Sequence, residues 1–370
     1  MQTGKLTTKP HYPILDGLRG VAAILVVLYH LFEGYFPTPI IHPAPGMRVM
    51  QDAFIYSAGS RRGYLAVDFF FMLSGFVIGY AYDDRWGKMS IKAFYIRRLI
   101  RLQPMVVLGI LLGAISFWFN PFIADHNHIS FVELVVATLI SITLMPSPDV
   151  YGSSNPWSLN GPCWSLFQEY IANIMYALFM RKLSKKSLLL IVVTSGIVLS
   201  IISISNGNID MGWNYSTLWV GFIRMIFSFV AGLLLFRSKK LIRLPYAFTV
   251  CSIILIGSVY LPVFQFNGLY EAVCIIIFFP LIILCGAGGE IQGKSKKLCR
   301  FLGDISYPIY ILHAPFIYIF NKYVFYNKQS MQGFMVISSG MVLFLILLAY
   351  AVLKLYDEPV RALLKRRSAR

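Results

Sequence analysis

Eleven apolar stretches joined by short polar connections decide what this chain can fold into. They cover residues 14–32, 62–82, 104–119, 131–145, 163–180, 187–205, 217–236, 244–262, 268–286, 303–326 and 333–356. Several approach the ~20 residues a helix needs to cross the ~30 Å hydrocarbon core of a bilayer. Hydrophobic residues make up 57% of the chain and charged residues 13%. A soluble domain has no core large enough to hide that excess, so much of it faces lipid. The fold class expected is therefore all-α, a polytopic integral membrane protein. Residues 1–370 read as a single membrane domain, with no internal repeat, no long linker and no appended soluble domain.

Charge orients the spans. The formal net charge is +17, which in a soluble protein would suggest nucleic acid as a partner. Here most Lys and Arg fall in six segments, 1–13, 83–103, 181–186, 237–243, 287–300 and 357–370, and the connections between them are poor in both. Lys and Arg mark cytoplasmic loops. All six segments fall on one side only if 131–145, which is short, contains Glu133 and ends at Met145-Pro146, does not cross. About ten transmembrane helices with both termini cytoplasmic are expected, with 131–145 at the outer side. The start of the chain has no small-residue cleavage site after 14–32, so that run is expected to stay as the first span. None of the five cysteines forms a CxxC pair or a Cys/His cluster, so no metal site is expected.

Ionisable groups inside a span are costly and default to functional candidates. The first span, ILDGLRGVAAILVVLYHLF, carries Arg19 and His30. Eleven residues put them on one helix face, ~16 Å apart along the axis. Arg19 is expected toward the cytoplasm and His30 toward the outer leaflet. Asp68, in GYLAVDFFFMLSGFVI, and Glu169, in PCWSLFQEY, sit near the outer ends of inward-running spans, so both are expected at the depth of His30. A histidine beside carboxylates suits proton abstraction from a hydroxyl. Asp68 also reads as a helix-holding partner of Arg224, and that reading is the stronger for it. On the inner side, FYIRRLIRLQP presents Arg97, Arg98 and Arg101, either ordinary topology-setting charge or a phosphate clamp. FLGDISYPIYILHAP carries Asp304, Ser306, Tyr307, Tyr310 and His313, where Pro308 is expected to kink the helix and help line a cavity.

Six segments in order resemble the acyltransferase-3 family of membrane acyltransferases: LDGLRG with Arg19 and His30, GYLAVDFFFMLSGF, RRLIRLQP, WSLFQE, SYPIYILH and the closing DEPVR around Glu358. The resemblance implies O-acyl transfer, usually acetyl from acetyl-CoA as co-substrate with no bound cofactor. The acceptor would be a hydroxyl of a carbohydrate, glycolipid or other envelope-linked molecule at the cell inner membrane. It places the family's essential pair on Arg19 and His30 and its basic block on Arg98 and Arg101, with Arg97 beside them. Where the family usually has a second carboxylate after Glu169, this chain has Tyr170. His30, Glu169 and Asp68 are the catalytic candidates. Arg19, Arg97, Arg98, Arg101, Tyr307 and His313 are the candidates for binding acyl-CoA. Some relatives carry a fused periplasmic domain, so a separate periplasmic partner is a possible counterpart here. The alternative is a transporter or flippase of a lipid-linked saccharide; no inverted repeat supports it.

Overall fold

A computed structural model describes residues 11–35, 62–122, 129–261 and 263–368. The N-terminal basic residues and the 36–61 connection, both used in the charge argument, lie outside the described residues. The described chain is all-helical, with no strand. Its helices are α1 (Pro13–Tyr35), α2 (Leu65–Tyr82), α3 (Ile91–Trp118), α4 (Phe131–Ile142), α5 (Cys163–Leu178), α6 (Lys185–Asn206), α7 (Leu218–Ser238), α8 (Ala247–Tyr260), α9 (Asn267–Gly288), α10 (Gly293–Tyr326) and α11 (Met331–Ser368). Each corresponds to one apolar stretch of the sequence. Seven are long and apolar enough to cross a membrane: α1, α2, α3, α6, α7, α9 and α11. The 12 residues of α4 reach only ~18 Å, short of the hydrocarbon thickness. Large apolar side chains such as Ile115, Leu190, Ile201, Ile253 and Leu347 remain exposed on the helix flanks, as lipid contact requires.

Glycine sets where helices meet, because only a residue without Cβ lets two backbones approach closely. On α1, a Cβ at Gly20 would lie 2.4 Å from the Leu302 carbonyl oxygen, and on α10 a Cβ at Gly303 would lie 2.7 Å from the Asp16 Cβ. Gly20, next to Arg19, and Gly303 thus let α10 pack closely against α1. In the same way Gly75 of α2 faces the Phe229 carbonyl and Gly232 of α7 faces the Met72 carbonyl.

Two features matter for the site. Helix α10 runs on through Pro308 and Pro315, continuous over 34 residues, and Pro308 is one of the residues lining a cavity at the Arg19 end. And α5, 16 residues long, begins inside the bundle. The segment before it is buried at Trp157, Leu159 and Asn160. It lies along α3, where a Cβ on Gly113 would be 2.1 Å from the Leu159 carbonyl oxygen, and Asn160 Nδ2 donates to the Ile311 carbonyl of α10. Starting deep, α5 carries its polar residues away from His30 and toward the Arg19 end.

Candidate active site

A cavity of about 350 Å³ opens at the Arg19 end, between α1, α2, α3, α5, α10 and α11. Its polar lining brings four arginines, Arg19, Arg98, Arg101 and Arg361, together with four carboxylates, Glu169, Asp304, Asp357 and Glu358. Arg19 donates from Nε to Ser306 Oγ at 2.8 Å and from Nη2 to the Gly303 carbonyl at 2.8 Å, contacts that the glycine-mediated approach of α10 makes possible. Arg98 is buried, and its Nη2 pairs with Glu169 Oε1 at 2.6 Å. The same Glu169 oxygen accepts from Ser74 at 3.0 Å. Arg101 has neither ion pair nor hydrogen bond among the described residues, and it is exposed within the cavity. Arg361 pairs with Asp357 at 2.8 Å. Asp357 closes a π-helical turn of α11, Leu353–Asp357; the wider turn of such an insertion rotates side chains out of α-helical register. Tyr307 lines the cavity while its hydroxyl donates to the Leu102 carbonyl at 2.7 Å. Tyr170, at the position of the family's second acid, donates to Gln103 at 2.9 Å.

At the other end of α1, His30 is about one-third exposed and its Nδ1 lies 3.1 Å from Glu33 Oε2, one turn on. Its ring stacks on that of His313, with centroids 5.3 Å apart and planes 23° apart. Next to it, Tyr29 donates to Asp210 at 3.1 Å. A chain of rings separates this site from the cavity: Tyr310 meets His313 at 5.9 Å and Phe70 at 5.4 Å. Tyr310 is fixed by a 2.6 Å hydrogen bond with Ser165.

Burial, and next the Glu33 carboxylate, push the Asp210 carboxyl, in the α6–α7 connection, up to about 6. A carboxyl whose folded-state value exceeds its unfolded value of ~3.9 stabilises the fold at low pH. That contribution is lost as pH rises through 6. Asp210→Asn, which removes the titration, is expected to raise the thermal midpoint of detergent-solubilised protein at pH 8 and to bring no gain at pH 4.

The placements correct several expectations. Glu169 is not at the depth of His30; the deep start of α5 puts it with Arg98 in the cavity. For Asp68 the favoured reading holds: it is fully buried as the helix-holding partner of Arg224, Nη2 to Oδ2 2.6 Å. Arg97 is exposed and does not line the cavity. His313, a candidate acyl-CoA contact, lies outside the lining of this cavity and stacks on His30. The carboxylate that does reach His30 is Glu33, which sequence reasoning passed over as loop although its i+3 spacing was the available signal. Arg361 and Asp357 were likewise missed, their signal being the closing DEPVR.

Comparison with known proteins bears on what such a site does. A family model described as an acyltransferase domain matches residues 12–354. The chain is 30% identical over 197 residues to a Rhizobium radiobacter protein known as protein 2 in the picA locus, a match covering 51% of this chain and 92% of that one. It is 32% identical over 118 residues to the peptidoglycan O-acetyltransferase OatA of Listeria monocytogenes, covering 31% of this chain and 15% of OatA. A putative O-acetyltransferase of Staphylococcus aureus is 33% identical over 101 residues, 26% of this chain and 13% of the relative. The chain thus spans only a small part of these two O-acetyltransferases. No solved structure gives a significant match.

Proposed function

The chain belongs to the acyltransferase-3 family, and from that premise we propose that it moves an acyl group, acetyl from acetyl-CoA, to a hydroxyl of a carbohydrate or other envelope-linked acceptor in the inner membrane. The observation that carries this reading is the division of labour along α1. One helix delivers Arg19 to an arginine-lined cavity and His30 to a carboxylate-backed site ~16 Å farther along its axis. The names of the O-acetyltransferase relatives support oxygen as the accepting atom.

The Lys- and Arg-rich end faces the cytoplasm in this reading, with ten crossing helices, α4 outside and both termini inside. Acetyl-CoA enters there. Its phosphates meet Arg101 first, the cavity arginine with no competing partner, then Arg19 and Arg98. The pantetheine arm passes the Phe70 and Tyr310 rings toward His30. The Glu33 carboxylate can only accept, so it holds the His30 proton on Nδ1 and leaves Nε2 as the base. The acceptor oxygen attacks the thioester carbonyl as its proton moves to Nε2. The new C–O bond forms, the C–S bond breaks, and the imidazolium returns the proton to the departing thiolate. Glu169, paired with Arg98 and Ser74, positions a cavity arginine rather than the base.

Native membranes containing the protein, supplied with acetyl-labelled acetyl-CoA, are expected to release CoA and to retain label in the envelope fraction. Envelope that stays unlabelled while the protein is present would overturn the reading. Within it, Arg101→Gln is expected to raise the KM for acetyl-CoA about tenfold or more with kcat little changed, since a hydrogen bond to a charged group contributes ~1.5–3 kcal/mol. An unchanged KM moves the phosphate site elsewhere.

A further inference from the structure

His313 is fully buried on α10, yet half of its imidazole is unaccounted for. Its Nδ1 lies 3.1 Å from the Ile309 carbonyl. A carbonyl only accepts, so Nδ1 carries the proton and Nε2 is a bare lone pair. Nε2 has no hydrogen-bond partner among the described residues. A buried acceptor left without a donor is costly, and native structures rarely keep one without a reason.

Its surroundings repeat the pattern. His30, against which it stacks, has Nδ1 committed to Glu33 and presents Nε2 as an acceptor. Asn321 donates from Nδ2 to the His30 carbonyl at 3.0 Å, and its Oδ1 has no partner among the described residues. At the stack, Nε2 of His313 and Nε2 of His30 thus both accept, and the N–H of each ring is already given elsewhere; Asn321 Oδ1 is a further acceptor about two turns along α10. Such a site suits a ligand that brings donors. Direct proton passage between the two rings is poorly served, because they lie face to face rather than edge to edge.

We propose that His313 is a substrate-binding residue of the transfer site, whose Nε2 accepts a hydrogen bond from an O–H or N–H of the substrate that reaches His30. The donor is either a second hydroxyl of the acceptor, beside the one that gives its proton to His30, or an amide N–H of the pantetheine arm. This rests on the assignment of His30 as base.

The test uses full-length protein in native envelope membranes, with labelled acetyl-CoA as probe and initial rates analysed for kcat and KM. His313→Phe keeps a ring against His30 and removes the nitrogen. His313→Gln removes the ring and places an amide oxygen near the Nε2 position. His313→Met replaces the Phe variant if that chain fails to fold, as judged by monodispersity in detergent. The nitrogen-free variant is expected to lose about tenfold or more in kcat/KM, and the Gln variant to recover most of it. A fall in kcat with KM for acetyl-CoA unchanged assigns the bond to the acceptor's second hydroxyl. A raised KM assigns it to the pantetheine amide. Wild-type kinetics in the nitrogen-free variant, or an equal loss in Phe and Gln, overturns the proposal. The His30→Gln variant run in parallel separates the two assignments: if it too is fully active, the premise has failed rather than the role of His313.

Discussion

Replacing His30 by glutamine is expected to slow acyl transfer by roughly 10²–10⁴-fold, the usual contribution of a positioned general base, while leaving the KM for acetyl-CoA near its wild-type value. The split follows from the geometry. His30 does not line the cavity where Arg19, Arg98 and Arg101 converge, so its loss removes no donor contact. What it removes is the nitrogen that takes the hydroxyl proton. Glutamine keeps much of the volume and a hydrogen-bonding end beside Glu33, 3.1 Å from Nδ1 in the native chain. A loss of rate is then chemical rather than a collapse of α1. Single-turnover release of CoA from labelled acetyl-CoA measures it. A variant that turns over normally removes His30 from the mechanism and leaves the arginine-lined cavity as the part of the site still to be explained.

The sequence made the helices legible and the depths less so. Long apolar runs are read directly from hydropathy, and all eleven became helices. The Arg19 and His30 face was legible because both lie on one uninterrupted helix, where spacing alone fixes geometry. Glu169 was misplaced because its depth depends on where α5 starts. That start is set by a buried connection, Trp157 to Asn160, packed on the glycine face of α3; nothing in the hydropathy of 163–180 encodes it. The partner of Arg98 lies 71 residues away, a pairing that only tertiary structure creates. Glu33 was hidden for a different reason: helix α1 continues to Tyr35, beyond the apolar run that marks its bilayer portion. A charged residue just past the last apolar one reads as loop, although the helical turn carries it back to His30.

Asp68→Leu is expected to cost about 3–5 kcal/mol of stability, because it strands a buried arginine. Asp68 and Arg224 are both fully buried, and Arg224 contacts both carboxylate oxygens, Oδ2 at 2.6 Å. Arg224 also donates to the Met211 and Tyr64 carbonyls and lies over the Trp164 ring at 5.3 Å. It therefore ties α7 to α2, to the α6–α7 connection and to the WSLFQE segment at once. Removing the carboxylate alone leaves a desolvated cation. Removing both charges, as in Asp68→Leu with Arg224→Met, abolishes that penalty, and such double replacements are often close to neutral. Recovery here should be partial, since the Met211 and Tyr64 carbonyls lose their donor. Thermal midpoints of the two single variants and the double in one detergent give the coupling directly. Additive losses would mean that the pair does not act as a unit. The double variant, once folded, also decides the other role weighed for Asp68. Transfer activity near wild type makes it a structural anchor. A folded chain that binds acetyl-CoA normally yet transfers nothing makes Asp68 or Arg224 part of the chemistry, because the structural debt has by then been removed.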